Sequence, residues 1–185
     1  MNQHPWLESF KACFNNEQVV AYPTEAVYGL GCNPLSQKAM DEILRLKVRP
    51  VEKGVIIIAA DVSQIMPFVD WDAIPLEHQQ KIEASWPGPF TWLMPKSDKT
   101  PAWISGDSPL IAVRVTDHPL VIDMCNAVGS ALVSTSANPA GLVPARSAIE
   151  VENYFQDQIL IIDGPLGSQQ KPSTITNSLT LERLR

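Results

Sequence analysis

Between residues 36 and 60 the chain passes from a helical pattern through a proline to an apolar run, and this succession limits the fold more than any other stretch. Ala39, Met40, Ile43, Leu44 and Leu46 recur at helical spacing behind Ser36, a residue suited to cap a helix. Pro50 cannot continue that helix and biases Arg49 toward an extended backbone. The run 54–60, Gly-Val-Ile-Ile-Ile-Ala-Ala, has the length and composition of a buried strand. Its connection to the helix carries Lys47, Arg49 and Lys53, with Arg45 just upstream, so these cations are expected at the rim of a sheet. A solvated loop is the simpler explanation for such a cluster, and an anionic ligand is the alternative.

At 185 residues the chain suits one domain, 1–185, with a sizeable core, and its 45% hydrophobic and 18% charged residues exclude a disordered polymer. A formal net charge of −6 excludes bulk attraction to nucleic acid, so contact with a polyanion must rest on a local basic patch. Cys13, Cys32 and Cys125 are odd in number and far apart, which favours a reduced, cytoplasmic setting over a disulfide framework or a zinc centre. His4, His78 and His118 are equally scattered, so no protein metal cage is expected. No apolar run has the length of a membrane span, and the N-terminal residues lack a signal-peptide pattern.

Periodicity predicts helices over 5–16, 36–47, 61–69, 75–86, 146–156 and from His118 to about Ala127. Strands are predicted over 19–22, 54–60, 90–94, 110–115, 131–133 and 159–162, with a last one near Ile175. Residues 23–32 read as a strand-end loop in which Gly29 and Gly31 supply a turn, and 95–108 as an exposed loop. Ser134 to Pro139 reads as a polar turn. Arg114 interrupts an apolar strand, where a charge requires a salt bridge or an anionic ligand. The irregular alternation of elements favours an α/β fold with a twisted mixed sheet flanked by helices, and the polar loops at strand ends favour a ligand cleft there.

The chain has no Walker A sequence, no Gly-x-Gly-x-x-Gly fingerprint and no nucleophile elbow. Two pairs with one-residue gaps stand out instead, Lys47-x-Arg49 and Ser136-x-Asn138. In extended backbone, residues two apart face the same side, so each pair can present two groups to one ligand. Cations opposite hydroxyl and amide groups would suit a triphosphate and its departing pyrophosphate.

With those pairs in view, six ordered stretches resemble the YrdC/TsaC family, the threonylcarbamoyl-AMP synthases, in its short bacterial form. They are Ala21-Tyr-Pro-Thr-Glu-Ala-Val-Tyr-Gly-Leu-Gly31, Leu46-Lys-Val-Arg-Pro-Val-Glu-Lys-Gly54, Trp86-Pro-Gly-Pro-Phe-Thr91, Ala112-Val-Arg-Val115, Ser134-Thr-Ser-Ala-Asn138 and Pro172-Ser-Thr-Ile175. Two departures are Ala26, where the family often has a second Thr, and Pro139-Ala140, where Leu-Ser often follows the Asn.

The resemblance implies a YrdC-like mixed α/β fold with an open, positively lined concave ligand face, and a nucleotidyltransferase that converts L-threonine, bicarbonate and ATP to threonylcarbamoyl-adenylate and pyrophosphate, for threonylcarbamoyladenosine in tRNA. It implies that Lys47, Arg49, Ser136 and Asn138 are catalytic and bind ATP, with Lys53, Thr91, Ser134, Arg146 and Ser173 also on the nucleotide side. Thr24, Tyr28 and Arg114 would hold threonine. Magnesium would arrive with ATP, with no tightly bound cofactor and no protein metal site. Downstream partners would be tRNA threonylcarbamoyl-transferase proteins, with tRNA or double-stranded RNA a candidate direct partner and no membrane. Two other activities compete with this one: an RNA-binding ribosome-maturation factor, and carbamoyl-adenylate formation as in the larger hydrogenase-maturation proteins.

Overall fold

A computed structural model of the chain describes residues 4–49 and 54–185. Lys53 and Pro50 therefore lie outside the described residues. The elements follow in order as α1 (Trp6–Asn15), β1 (Val20–Pro23), β2 (Tyr28–Gly31), α2 (Gln37–Lys47), β3 (Ile56–Ala59), α3 (Leu76–Ser85), β4 (Phe90–Pro95), α4 (Ala102–Ser105), β5 (Leu110–Val115), α5 (Pro119–Val128), β6 (Leu132–Ser136), α6 (Ala148–Phe155), β7 (Leu160–Ile161) and β8 (Thr174–Asn177). The strands form one mixed sheet in the order β7-β1-β2-β6-β3-β5-β4-β8. Parallel pairing joins β1 to β7, β3 to β5 and β4 to β8, and the remaining neighbours are antiparallel.

Alternation along the central strands assigns the two faces. Val20, Tyr22, Ile58 and Leu132 pack against Phe10, Cys13 and Phe14 of α1 and Val121, Met124 and Cys125 of α5. Ala21, Ile57 and Val133, one residue out of phase, belong to the opposite cluster with Met40 and Ile43 of α2 and Phe155 of α6. Apolar residues on both faces mark strands covered by helices on each side, and each aliphatic side chain so buried contributes about 1.5–3 kcal/mol.

The mixed sheet and most elements match the sequence reading, and the exceptions have physical causes. Residues 28–31 form β2 rather than a turn, and neither Gly29 nor Gly31 has a positive φ. Glycine is needed at 31 for space: a Cβ there would lie 2.4 Å from the Val133 carbonyl oxygen and 2.6 Å from Tyr22 Cε1. The polar turn expected at 134–139 is strand as far as Ser136, because Ser134 pairs with Ile56 and Ser136 with Gly29. Within 95–108 the short α4 buries Ile104, and Trp103 Nε1 donates to the Pro34 carbonyl. The expected helix at 61–69 consists of two 3₁₀ turns, Val62–Gln64 and Met66–Phe68.

α2 is capped by Ser36, whose hydroxyl accepts from Ala39 N at 3.1 Å, and it ends on Val48 in the left-handed region at φ 51°. Arg49 N donates to the Leu44 carbonyl and Val48 N to the Arg45 carbonyl, so a tight C-terminal turn closes the helix before Pro50 is reached.

Two substitutions test this account. Gly31→Ala should destabilise the fold by about 3 kcal/mol through overpacking, read as a lower urea midpoint. Val48→Gly relieves a β-branched residue of a left-handed backbone and should raise stability by about 1 kcal/mol in the same measurement.

Candidate active site

Strand register converts the sheet into a cleft. Residues directly opposite one another share a face, so Ser134 sits beside Ile56, Ser136 beside Gly29, Ala112 beside Leu93, and Arg114 beside Ile58. All of them point to the side that carries α1 and α5. Beyond the reach of those helices this face opens into a cavity of about 550 Å³. Gly29 keeps its floor low, since a Cβ there would meet Thr24 Cγ2 at 3.3 Å and Ser134 Oγ at 3.4 Å.

The charge of the lining opposes that of the chain. Among the described residues, Arg49, Arg114, Lys171 and Arg185 line the cavity against one carboxylate, Glu25, whereas the whole protein has a net charge of −6. A basic concave surface on an acidic protein concentrates anions at one place. Of these residues, Lys171 and Arg185 carried no signal in the sequence, and Glu25 lies in a family-like stretch without an assigned role. Arg185 reaches the cleft because the tail folds back: Arg183 bridges Thr176, and Arg185 Nε donates to the Ser173 carbonyl at 3.1 Å. Burial lowers the pKa of Arg185, and nearby Arg114 lowers it further.

Lys47 and Arg49 do not project together as extended neighbours would, because the left-handed Val48 separates them. Lys47 is buried, 4% exposed, and reaches across to the end of β6. Its Nζ donates to the Ser136 carbonyl and, at 2.9 Å, to the Asn138 carbonyl, with Asn138 Oδ1 at 3.5 Å. The amide of Ala140 returns a bond to the Lys47 carbonyl at 2.8 Å. The two sequence pairs therefore touch directly. Any phosphate contact by Lys47 requires one of those three acceptors to give way to a phosphate oxygen. Burial, and secondarily the charge of Arg49, push the Lys47 ammonium down to about 8.

Arg49 turns the other way, donating from Nη2 to the Gly54 carbonyl at 2.9 Å, and burial lowers its pKa without threatening the guanidinium charge. Ser136 Oγ donates to Asn138 Oδ1 at 2.6 Å, and Asn138 Nδ2 donates to the carbonyls of Pro139 and Leu142. Asn138 thus shapes the wall from behind, while Ser134 and Ser136 line the cavity itself.

The remaining candidates divide in the same way. Thr24 lines the cleft, with its hydroxyl donating to the Val27 carbonyl at 2.7 Å and its oxygen left to accept. Ser173 also lines it, whereas Thr91 is buried behind and shares a 2.7 Å hydroxyl contact with Ser173. Arg146 is exposed and stands outside the lining. Tyr28 contributes backbone to the cleft, but its hydroxyl is engaged elsewhere, with Asp163 Oδ1 and the Gly164 carbonyl both at 3.0 Å. Burial pushes that phenol up to about 12, and its hydrogen bonds tie the side chain to the 163–164 loop. Arg114 shows the salt bridge that its apolar strand demanded, its Nη2 lying 3.2 Å from Glu25 Oε2.

Among the described residues, no group of three or more His, Cys, Asp or Glu is placed to hold a metal ion. No helix among them is long and apolar enough to cross a membrane.

A family model described as "Telomere recombination", covering Sua5, YciO and YrdC, matches residues 12–185. A protein of Pseudoalteromonas atlantica named threonylcarbamoyl-AMP synthase is 49% identical over 91% of this chain and 90% of its own length. A protein of Photorhabdus laumondii with the same name is 46% identical over 98% of this chain and 96% of its own length. Among solved structures, P. abyssi Sua5 complexed with L-threonine superposes with a TM-score of 0.87 at 31% identity, over 96% of this chain. This chain spans 52% of that protein's length. From its sequence matches and its fold together, the chain belongs to the Sua5/YciO/YrdC family.

Proposed function

We propose that the chain is a threonylcarbamoyl-AMP synthase, a nucleotidyltransferase that joins L-threonine, bicarbonate and ATP and releases pyrophosphate. The observation that carries this reading is the open sheet face, where four cations among the described residues surround a cavity floored by Thr24, Ser134 and Ser136. Relatives bearing that name match it over nearly the whole chain.

Threonine's amine and bicarbonate combine to an N-carboxylate with loss of water. An oxygen of that carbamate attacks the α-phosphorus of ATP, the bond to the β-phosphate oxygen breaks, and pyrophosphate leaves with the electron pair. This chemistry asks little of an acid or base. It asks for proximity and for charge neutralisation in a site that limits water. Arg49 and Arg185 are assigned to the phosphates, with the hydroxyls of Ser134, Ser136 and Ser173 as neutral contacts. Thr24 and Arg114 are assigned to threonine, the guanidinium facing its carboxylate. Lys47 holds the β6 end in place through its carbonyl contacts and adds positive potential beside the phosphates. Magnesium would arrive with ATP, and the Ser136 hydroxyl, which lines the cavity, would supply a hard oxygen atom of the kind such an ion accepts. We place the protein in the cytoplasm, passing its product to proteins that transfer the threonylcarbamoyl group to tRNA.

Pyrophosphate release should require ATP, threonine and bicarbonate together, measured by an enzyme-coupled assay with each omitted in turn. Release independent of threonine or bicarbonate would contradict the assignment, as would salt-dependent RNA binding with no ATP turnover. Arg49→Ala should lower kcat/KM for ATP by about 100-fold, while the far-UV circular dichroism stays unchanged.

The ammonium of Lys47 gives a pH dependence with two opposite signs. Below about 8 it is charged and holds the β6 end, so the KM for ATP should rise as pH increases from 7 to 9. Stability moves the other way. The unfolded lysine titrates at 10.5 and the folded one at about 8, so the unfolded state binds more protons between those values. Relative to Lys47→Met, the wild type should therefore gain stability as pH rises from 8 toward 10.5, seen in urea unfolding at several pH values.

A further inference from the structure

Glu25 has no role in the chemistry above, yet it is among the most constrained side chains in the cleft. Its carboxylate is 6% exposed and faces Arg114, itself 7% exposed, across 3.2 Å. Oε1 accepts the Thr116 hydroxyl at 2.6 Å, and the Thr116 oxygen accepts in turn from His118 N at 3.1 Å. Thr116 is anchored by its own amide, which donates to the Ala59 carbonyl at 3.0 Å. The Glu25 backbone is fixed as well. Its carbonyl accepts from Gln169 N at 3.1 Å, and Gly167 packs so closely that a Cβ there would lie 2.7 Å from Glu25 Cα.

This leaves Oε2 as the one unfixed atom. Among the described residues it makes no hydrogen bond, and Arg114 Nη2 is its ion-pair partner. One carboxylate oxygen, oriented by Thr116, therefore faces one edge of the guanidinium. A guanidinium recognises a carboxylate through a planar fork, so rotating the plane loses the ligand even when the charge is kept.

We propose that Glu25, oriented by Thr116, is a positioning residue that sets the Arg114 guanidinium for the carboxylate of threonine. The inference rests on the assignment of Arg114 to threonine made above. Glu25 also reduces the net charge of the Arg114 site to near neutral, which limits its affinity for phosphate and leaves the triphosphate to Arg49 and Arg185. The side chain thereby contributes to separating the single carboxylate of threonine from the triphosphate within one basic cleft.

Glu25→Gln conserves shape and the acceptor for Thr116 but turns an amide N–H toward the guanidinium, two donors facing each other. Its threonine KM should rise about 20-fold, with kcat and the ATP KM changing less than about threefold. Thr116→Val, which removes only the hydroxyl, should raise the threonine KM by about fivefold and serves if Glu25→Gln does not fold. In an Arg114→Lys background, already impaired for threonine, Glu25→Gln should add less than about twofold. Circular dichroism and urea midpoints verify that each variant is folded. An unchanged threonine KM in folded Glu25→Gln and Thr116→Val would overturn the proposal, as would equal rises in both KM values or additive effects in the double variant. If Arg114→Lys itself leaves the threonine KM unchanged, the assignment of Arg114 falls and this proposal with it. If Arg114→Lys is impaired and the Glu25 and Thr116 variants are not, only the positioning role is lost.

Discussion

The ammonium of Lys47 holds together two parts of the molecule that are 89 residues apart in sequence, the end of α2 and the end of β6. Three oxygen atoms converge on it, from the Ser136 carbonyl and from both the carbonyl and the side chain of Asn138. Buried carbonyls without partners would each cost about 1–3 kcal/mol, and a buried ammonium without acceptors would cost more. Each need is met by the other. The hydroxyl of Ser136 and the cleft-facing end of the strand depend on that contact for their position.

Around this contact the sheet provides the rest of the site with little additional machinery. α1 and α5 cover one part of a sheet face, and the part left open becomes the cleft. Side chains that share this face by register, Ser134, Ser136 and Arg114 among them, line it without needing special loops. Among the described residues, cations enter from four different places in the chain: the α2–β3 connection, strand β5, the β7–β8 connection and the returning tail. The positive potential is thus a property of the fold and not of any one segment, which is why an acidic chain can present a basic cavity.

The sequence was legible where local signals agree. Ser36, the apolar stripe of α2 and the run that became β3 are each sufficient alone, and Arg114 in an apolar strand correctly demanded a partner. It was less legible where a residue type has two uses. Gly29 and Gly31 suggested a turn because glycine permits positive φ, but in β2 they provide clearance under Tyr22 and over the cleft floor. Ser134 to Ser136 suggested a turn because hydroxyls favour one, but pairing with β2 and β3 holds them in strand. Tyr28 lies in the recognised motif, and only tertiary structure shows its hydroxyl directed at Asp163. Lys171 and Arg185 reach the cavity through long-range folding that no local pattern encodes.

The central claim is that this cleft joins threonine, bicarbonate and the adenylyl group into one molecule. Incubation with ATP, magnesium, ¹⁵N-threonine and ¹³C-bicarbonate, followed by mass spectrometry of the small-molecule fraction, tests it directly. The account predicts an adenylate carrying both labels, formed in step with pyrophosphate. An adenylate that lacks the ¹³C label, or ATP breakdown with neither label in any product, would contradict it.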